Sequence, residues 1–203
     1  YGLMTHSNYF LGLLKTRNRF SATSVDQLPQ HLVSHLMYGH GLLLPIPDID
    51  QTDFMLILGG NPLASNGSIM TVPDVGKRLK ALRGRGGRLV VVDPRRSETA
   101  AMADTHLFIR PGGDAAFLCG LLNTLFEDGL AQGSHLPVNG LQQVREALAP
   151  LSAEAMSVHC GIAAADIRQL ARDFAAAGKA VCYGRMVVST QVFGTLCHWL
   201  VKL

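Results

Sequence analysis

Polar loops rich in glycine, acids and arginine carry the residues of this chain that are best suited to chemistry. The first, Gly59–Ser68, opens with two glycines and supplies amide and hydroxyl groups at Asn61, Ser65 and Ser68. Glycine lets a backbone approach a ligand closely, and these donors suit a phosphate or a diphosphate. The loop contains neither a Walker motif nor GxGxxG, so an ordinary turn between a strand and a helix is the alternative interpretation.

A second loop, Asp93–Ala100, combines an acid with two arginines. Asp93 follows an apolar run, as the ribose-binding acid does in dinucleotide folds, and Arg95 and Arg96 could form paired hydrogen bonds with phosphate oxygens. Further along, the carboxylate of Asp114 could accept paired donors from a guanine edge, or it could simply cap the helix that follows. Together these residues suit a nucleotide.

Other chemistry finds little support. His31 and His35 have metal-ligand spacing on a predicted helix, but no Glu follows His31 as a zinc protease requires. The cysteines form no CxxC pair, so we expect buried free thiols at Cys119, Cys160, Cys182 and Cys197. No order of Ser, His and Asp indicates a hydrolase.

The elements that must position these loops alternate between strands and helices. Apolar runs without polar alternation predict buried parallel strands at 53–58, 88–92 and 179–183, with a short extended segment at 105–109. Helical patterns lie between them, and residues 1–45 are mainly helical. We therefore predict a doubly wound, mainly parallel α/β sheet with flanking helices, whose loops meet at the carboxyl edge of the strands.

Composition narrows the class further. The 203 residues are 48% apolar and 16% charged with a net charge of +3, which indicates a globular chain with a sizeable core. The basic run from Lys77 to Arg85 falls on a helix whose outer face must be polar, so no nucleic-acid partner is expected. No apolar stretch is long enough for a transmembrane segment.

Three motifs identify a family resemblance. They are DFMLILGGNP, VVDPRRSETA and IRPGGDA, at 53–62, 91–100 and 109–115. In this order and spacing they closely resemble the molybdopterin oxidoreductases of the dimethyl sulfoxide reductase and formate dehydrogenase type. The resemblance covers about residues 15–203 and implies an interior fragment of a longer catalytic subunit.

The resemblance implies that the α/β segment is a dinucleotide-binding-like domain holding one guanosine arm of bis(molybdopterin guanine dinucleotide). It assigns the diphosphate to the first loop, the ribose and phosphate to the second, the guanine to the RPGGD segment, and the cofactor cleft to the segment after the last strand. The implied cofactor-binding residues are Gly60, Asn61, Pro62, Ser65, Asp93, Arg95, Gly112, Asp114 and Gln191.

The family's molybdenum ligand lies before the GxNP motif, in a window that here contains no cysteine. Asp26 falls nearest the expected position and is the implied catalytic metal ligand, with Ser24 as the second choice. A helix N-cap is the alternative role for Asp26. The departure from cysteine argues against a standard formate dehydrogenase.

The implied organisation is a helical segment near the molybdenum at 1–48, the cofactor-binding domain at 49–183 and a return segment toward the pterin at 184–203. The implied activity is two-electron redox of a small substrate, by oxygen-atom or hydride-equivalent transfer. A [4Fe–4S] cluster would lie in the missing N-terminal part, and the rest of the subunit and an electron-transfer partner would complete the enzyme. We expect the fragment to expose apolar surface and to be inactive alone.

Two alternatives remain open from the sequence. The chain could be a noncatalytic guanine-nucleotide-binding module that lost the metal, or a structural subunit of a redox complex. Asp26 distinguishes the enzyme from the binding module, because Asp26→Ala should not affect a module that only binds the nucleotide. The sequence indicates no cellular compartment.

Overall fold

The computed structural model describes residues 2–131 and 138–203, with side chains from residue 5 onward. The described strands form one parallel sheet in the order β3-β2-β1-β4. Their bounds are β1 Phe54–Leu58, β2 Arg88–Val92, β3 Thr105–Leu107 and β4 Ala180–Gly184. The predicted α/β class with a parallel sheet is confirmed. The three longer strands fall within one residue of their predicted positions, whereas β3 is two residues shorter than the predicted extended segment.

The described helices lie on both faces and at the carboxyl edge of the sheet. Their bounds are α1 Gly2–Leu13, α2 Thr23–Asp26, α3 Leu28–Tyr38, α4 Pro62–Ser65, α5 Val75–Gly84, α6 Glu98–Met102, α7 Asp114–Glu127, α8 Leu141–Leu148, α9 Ala153–Cys160, α10 Ala164–Ala176, α11 Met186–Ser189 and α12 Gly194–Leu200, with a 3₁₀ turn at Ser68–Met70. The sequence did not predict α9 or α11, and it placed α4 and α6 within the first and second loops. A four-residue helix is too short to show a period, and α9 buries only its two ends, Ala153 and Cys160.

Strand β1 lies between two hydrophobic cores. All five of its residues are buried, and alternate side chains point to opposite faces. Met55 and Ile57 join the core under α5, whereas Leu56 and Leu58 join the larger core under α7 and α10. Burial on both faces explains why the sequence of β1 is a continuous apolar run.

The register of the strands brings three loops to one level. Leu58, the last residue of β1, pairs with Val92 of β2 and with Gly184 of β4. Because all three strands run parallel, the loops that follow them begin side by side at the carboxyl edge, as predicted. Strands β2 and β3 extend the sheet in one direction from β1, and β4 adds to its other side. The switch point of the fold, where doubly wound proteins bind ligands, therefore lies between β1 and β4.

A wide apolar surface is exposed outside the sheet. Phe20 is 93% exposed and Val192 94%, and the α3 side chains Leu28, Leu32 and Leu36 form an exposed stripe at a spacing of four residues. Exposed apolar surface was expected from the sequence, and an area this wide is typical of a surface that contacts another protein segment. Among the described residues, no helix is both long and apolar enough to cross a membrane.

The cysteines are free, as expected. Cys119, Cys160 and Cys197 are buried, and Cys182 is half-buried. Burial raises the pKa of the Cys119 thiol, which keeps it protonated. Thiols of this kind pack as small apolar side chains and are poor nucleophiles.

Candidate functional site

Asp114 and Gln191 form the most buried part of the carboxyl edge. Asp114 is the first residue of α7 and is 1% exposed, and its Oδ2 accepts a hydrogen bond of 2.8 Å from Nε2 of Gln191. Gly113 holds the N-cap position of α7, so the N-cap alternative for Asp114 is wrong. The Asp114 carboxylate accepts a side-chain hydrogen bond from Gln191.

This pair leaves two buried acceptors free. Within the described part of the chain, neither Oδ1 of Asp114 nor Oε1 of Gln191 has a hydrogen-bond partner. Burial raises the pKa of Asp114, the hydrogen bond from Gln191 opposes that rise, and the negative charge of Asp93 adds to it. Buried polar atoms in native proteins are nearly always hydrogen-bonded, so two adjacent free acceptors indicate a missing donor.

Asp93 follows β2 and is buried. Its Oδ1 accepts a hydrogen bond of 2.8 Å from the backbone N–H of Arg95, and its backbone oxygen lies 3.0 Å from Nε2 of His106. The guanidinium of Arg95 is exposed and lies 3.4 Å from the Glu98 carboxylate. Asp93 is thus fixed by its own loop, while Arg95 extends into solvent at the same edge.

Asn61 joins the first loop to the second. Its Oδ1 accepts hydrogen bonds from the backbone N–H of Thr99, at 3.2 Å, and from the Thr99 hydroxyl, at 2.7 Å. Its Nδ2 donates to Glu98 over 2.6 Å. The Asn61 side chain therefore connects the first loop to the start of α6 through both its oxygen and its nitrogen. Among the other predicted residues of this loop, Pro62 is buried and Ser65 is exposed at the end of α4.

The glycines of the first loop pack closely against the segment after β4. Gly59 has φ of +56°, and a Cβ there would lie 2.4 Å from Cβ of Val187. A Cβ on Gly60 would lie 3.2 Å from Cβ of Arg185. The hydroxyl of Tyr183, in β4, donates to the backbone oxygen of Gly67 over 3.0 Å. By contrast, Gly112, at φ of +82°, has open space at its Cβ position.

Asp26 approaches the same edge from the N-terminal helices. It is the last residue of α2, and Gln27 holds the N-cap position of α3, so the N-cap alternative for Asp26 is wrong. Its Oδ1 lies 3.8 Å from Nη2 of Arg185, an arginine that is only 6% exposed. Ser24 is exposed, and its hydroxyl donates to the backbone oxygen of Ser21 over 3.2 Å. Asp26 thus faces the loop edge, whereas the Ser24 hydroxyl is used locally.

Other candidate ligands are not assembled into a site. His31 contacts the backbone oxygen of Gly41 through Nδ1, at 2.8 Å, and the Gln27 side chain through Nε2, at 3.3 Å. No group of three His, Cys, Asp or Glu side chains suited to a metal ion occurs within residues 2–131 and 138–203. A metal here would need most of its ligands from another group.

The main residue missed by sequence reasoning is Arg185. It contacts Gly60 from the first loop, Asp26 and Gln30 from the N-terminal helices, and, through its backbone N–H, the oxygen of Leu58. An arginine in a loop is normally expected at the surface, so nothing in its sequence context signalled burial. Its place directly after β4, at the switch point, is the one signal that could have indicated it.

The chain is similar in sequence to known oxidoreductases. No protein-family model matches the chain. It is 26% identical over 196 residues to formate dehydrogenase H of Escherichia coli, covering 93% of this chain and 27% of that protein. It is also 26% identical over 201 residues to the dimethyl sulfoxide/trimethylamine N-oxide reductase of Cereibacter sphaeroides, covering 93% of this chain and 24% of that protein. The chain is homologous to the molybdopterin oxidoreductases.

One solved structure shares the fold of this chain. Acetylene hydratase from Pelobacter acetylenicus superposes with a TM-score of 0.77 at 24% identity, covering 95% of this chain and 26% of that one. The chain thus spans about a quarter of the length of the molybdopterin oxidoreductases that it matches. The relatives are oxidoreductases that contain molybdenum, which confirms the family resemblance and the molybdopterin type of cofactor for these homologues.

Proposed function

We propose that this chain binds one guanosine arm of a molybdopterin guanine dinucleotide cofactor in a molybdenum oxidoreductase. One observation carries the proposal. Asp114 Oδ1 and Gln191 Oε1 are buried acceptors without a partner in the described structure, at the carboxyl edge where doubly wound folds bind nucleotides. A guanine edge offers two neighbouring N–H donors, N1–H and the exocyclic amine, which match an acceptor pair.

The charge of Asp114 supports guanine over adenine. A carboxylate is acceptor-only when ionised, so it suits a base edge that presents donors. Adenine presents a ring acceptor beside its amine, and that acceptor would face the carboxylate without a proton between them. Hydrogen bonds from guanine would also offset the burial that raises the pKa of Asp114. The open space beside Gly112 leaves room for a base next to this pair.

The remaining parts of the nucleotide have suitable partners nearby. Arg95 and Arg96 are exposed cations that suit phosphate oxygens. The buried Asp93 beside them suits ribose hydroxyls. The backbone of Gly60–Pro62, held by the Asn61 side chain, is free to approach a diphosphate. Ser65 lies in the same loop and is exposed, and we include it among the residues proposed to contact the diphosphate.

For the metal we propose Asp26 as the protein ligand, with Ser24 as the alternative. A carboxylate is a hard ligand suited to a high-valent metal, and Oδ1 of Asp26 is buried without a hydrogen bond in the described residues. The bound cofactor would supply two-electron chemistry, by oxygen-atom or hydride-equivalent transfer to a small substrate. The domain limits at 48 and 183, the [4Fe–4S] cluster and an electron-transfer partner belong to the same proposal.

The test is the molybdenum and guanine-nucleotide content of the full-length protein that contains these residues. Elemental analysis and chromatography of the denatured protein should give both near stoichiometry, and Asp114→Ala should lower the guanine content. Guanine nucleotide without molybdenum would instead indicate the noncatalytic nucleotide-binding module. Finding neither would contradict the proposal and favour a structural subunit.

A further inference from the structure

Arg185 is a buried cation with few partners. Its side chain is 7% exposed, Nη1 lies 3.4 Å from Oε1 of Gln30, and Nη2 lies 3.8 Å from Oδ1 of Asp26. Its Nε has no hydrogen-bond partner in the described part of the chain. Burying a charge is costly unless an opposite charge lies close by. For Arg185 that opposite charge is the carboxylate of Asp26.

Arg185 is anchored to the sheet by more contacts than Asp26 is. The backbone N–H of Arg185 donates to the oxygen of Leu58 over 3.0 Å, which ties the residue to the end of the central strand. Its Cβ and Cγ lie against Gly60, each 3.2 Å from where a glycine Cβ would be. The backbone and the first side-chain carbons of Arg185 are therefore held in place by the end of β1 and by the first loop.

Asp26 lacks such anchors of its own. It ends the four-residue helix α2, whose N-cap makes no side-chain hydrogen bond. The residues just before it, 21–25, are all exposed. A single exposed helical turn has little stability by itself. The ion pair with Arg185, at 3.8 Å, thus connects the Asp26 carboxylate with the sheet edge.

We propose that Arg185 is a positioning residue that orients the Asp26 carboxylate toward the cofactor cleft between β1 and β4. This role depends on the proposed function of Asp26 as the molybdenum ligand. Loss of a partner that orients a metal-binding side chain typically lowers metal affinity or activity by about 10- to 100-fold. Because Arg185 also packs against Gly60, one side chain connects the proposed diphosphate loop with the proposed metal ligand.

The test uses the full-length protein loaded with its cofactor and X-ray absorption at the molybdenum edge, which counts light-atom ligands independently of activity. Asp26→Ala should remove one light-atom ligand. Arg185→Gln should produce the same loss, while the guanine-nucleotide content stays at the wild-type level. Arg185→Lys, which keeps the charge but not the planar guanidinium, should give a spectrum between that of the wild type and that of Arg185→Gln.

Arg168→Gln is the matched control. Arg168 is also shielded and ion-paired, with Glu154 at 2.7 Å and Glu127 at 3.1 Å, but it lies on α10 among the flanking helices. The Arg168→Gln variant should leave the X-ray absorption spectrum at the molybdenum edge unchanged. If Arg185→Gln does not fold, Arg185→Lys decides, and a wild-type spectrum for that variant would overturn the role of Arg185.

The outcomes separate the two proposals. If Asp26→Ala alters the spectrum and Arg185→Gln does not, Arg185 has no positioning role and the ligand assignment stands. If Asp26→Ala leaves the spectrum unchanged at full molybdenum and guanine content, the roles of both residues fail while the cofactor proposal survives. Wild-type protein without molybdenum would overturn the role of Asp26, the role of Arg185 and the proposed molybdenum cofactor.

Discussion

The side-chain amide of Gln191 donates a 2.8 Å hydrogen bond to the carboxylate of Asp114, a residue 77 positions earlier in the chain. This contact joins the segment after β4 to the start of α7. It uses one atom of each side chain and leaves the second oxygen of each buried and without a partner in the described structure. The pair is therefore arranged as a receptor for donors rather than as a closed internal contact.

Replacing Asp114 should affect folding and binding in opposite directions. Burial raises the pKa of Asp114, so the folded protein resists its ionisation and loses stability as the pH rises through and above the ordinary value of 3.8. Asp114→Asn removes that charge, and we expect a higher free energy of unfolding for the cofactor-free protein near neutral pH. It should weaken guanine binding by about 10- to 100-fold, because a charged hydrogen bond is lost.

Urea unfolding of cofactor-free protein and nucleotide release from loaded protein measure these two effects separately. Asp166→Asn is the control, since Asp166 is an exposed acid in the first turn of α10. It should change neither quantity by much. Parallel losses of stability and nucleotide in Asp114→Asn would contradict the receptor role and indicate a structural carboxylate.

Asn61 should contribute mainly to the stability of the loops. Asn61→Ala removes the acceptor of the Thr99 backbone N–H and hydroxyl, and Thr99 is fully buried. An unpaired buried donor costs about 1–3 kcal/mol, so we expect a loss of that size in urea unfolding. Ser65→Ala is a suitable comparison, because Ser65 is exposed at the end of α4 in the same loop. Equal effects of the two variants would show that the contact between Asn61 and Thr99 is unimportant.

Gly59 should be intolerant of any side chain. A Cβ there meets Cβ of Val187 at 2.4 Å, and φ of +56° disfavours other residues. Together the overpacking and the left-handed backbone predict a loss of about 2–5 kcal/mol for Gly59→Ala. Gly84→Ala, in α5 with open space around it, should instead be neutral or slightly stabilising. Thermal unfolding of both variants checks this, and a mild effect at Gly59 would mean that α11 can move away from the loop.

The sheet edge could be predicted from sequence because its signals are local. Apolar runs mark β1 and β2, and Asp93 and Asp114 sit at fixed places after apolar or glycine-rich segments. The use of each side chain could not be predicted in the same way. The partner of Asn61 is Thr99, 38 positions away, and the guanidinium of Arg185 contacts Asp26 of α2 and Gln30 of α3. Such contacts depend on how distant elements pack, which composition and periodicity do not specify.

His198 should make stability depend on pH in the mildly acidic range. It is buried, and its Nε2 lies 2.8 Å from the Ser189 hydroxyl. Burial above all, and then the charges of Lys202 and Arg185, lower the pKa of His198 from 6.5 to about 4. Between those values the unfolded chain binds a proton that the folded protein rejects. The stability present above pH 6.5 is therefore lost as the pH falls toward 4, by up to about 3 kcal/mol in total.

Urea unfolding at about pH 7 and about pH 4.5 measures that loss as a difference between two free energies. His198→Gln should shrink the difference, even if it lowers stability at both pH values, because the titrating group is gone. His35→Gln removes an imidazole that is exposed on α3, so it should leave the difference as in the wild type. An unchanged difference in His198→Gln would show that groups other than His198 dominate the acid response.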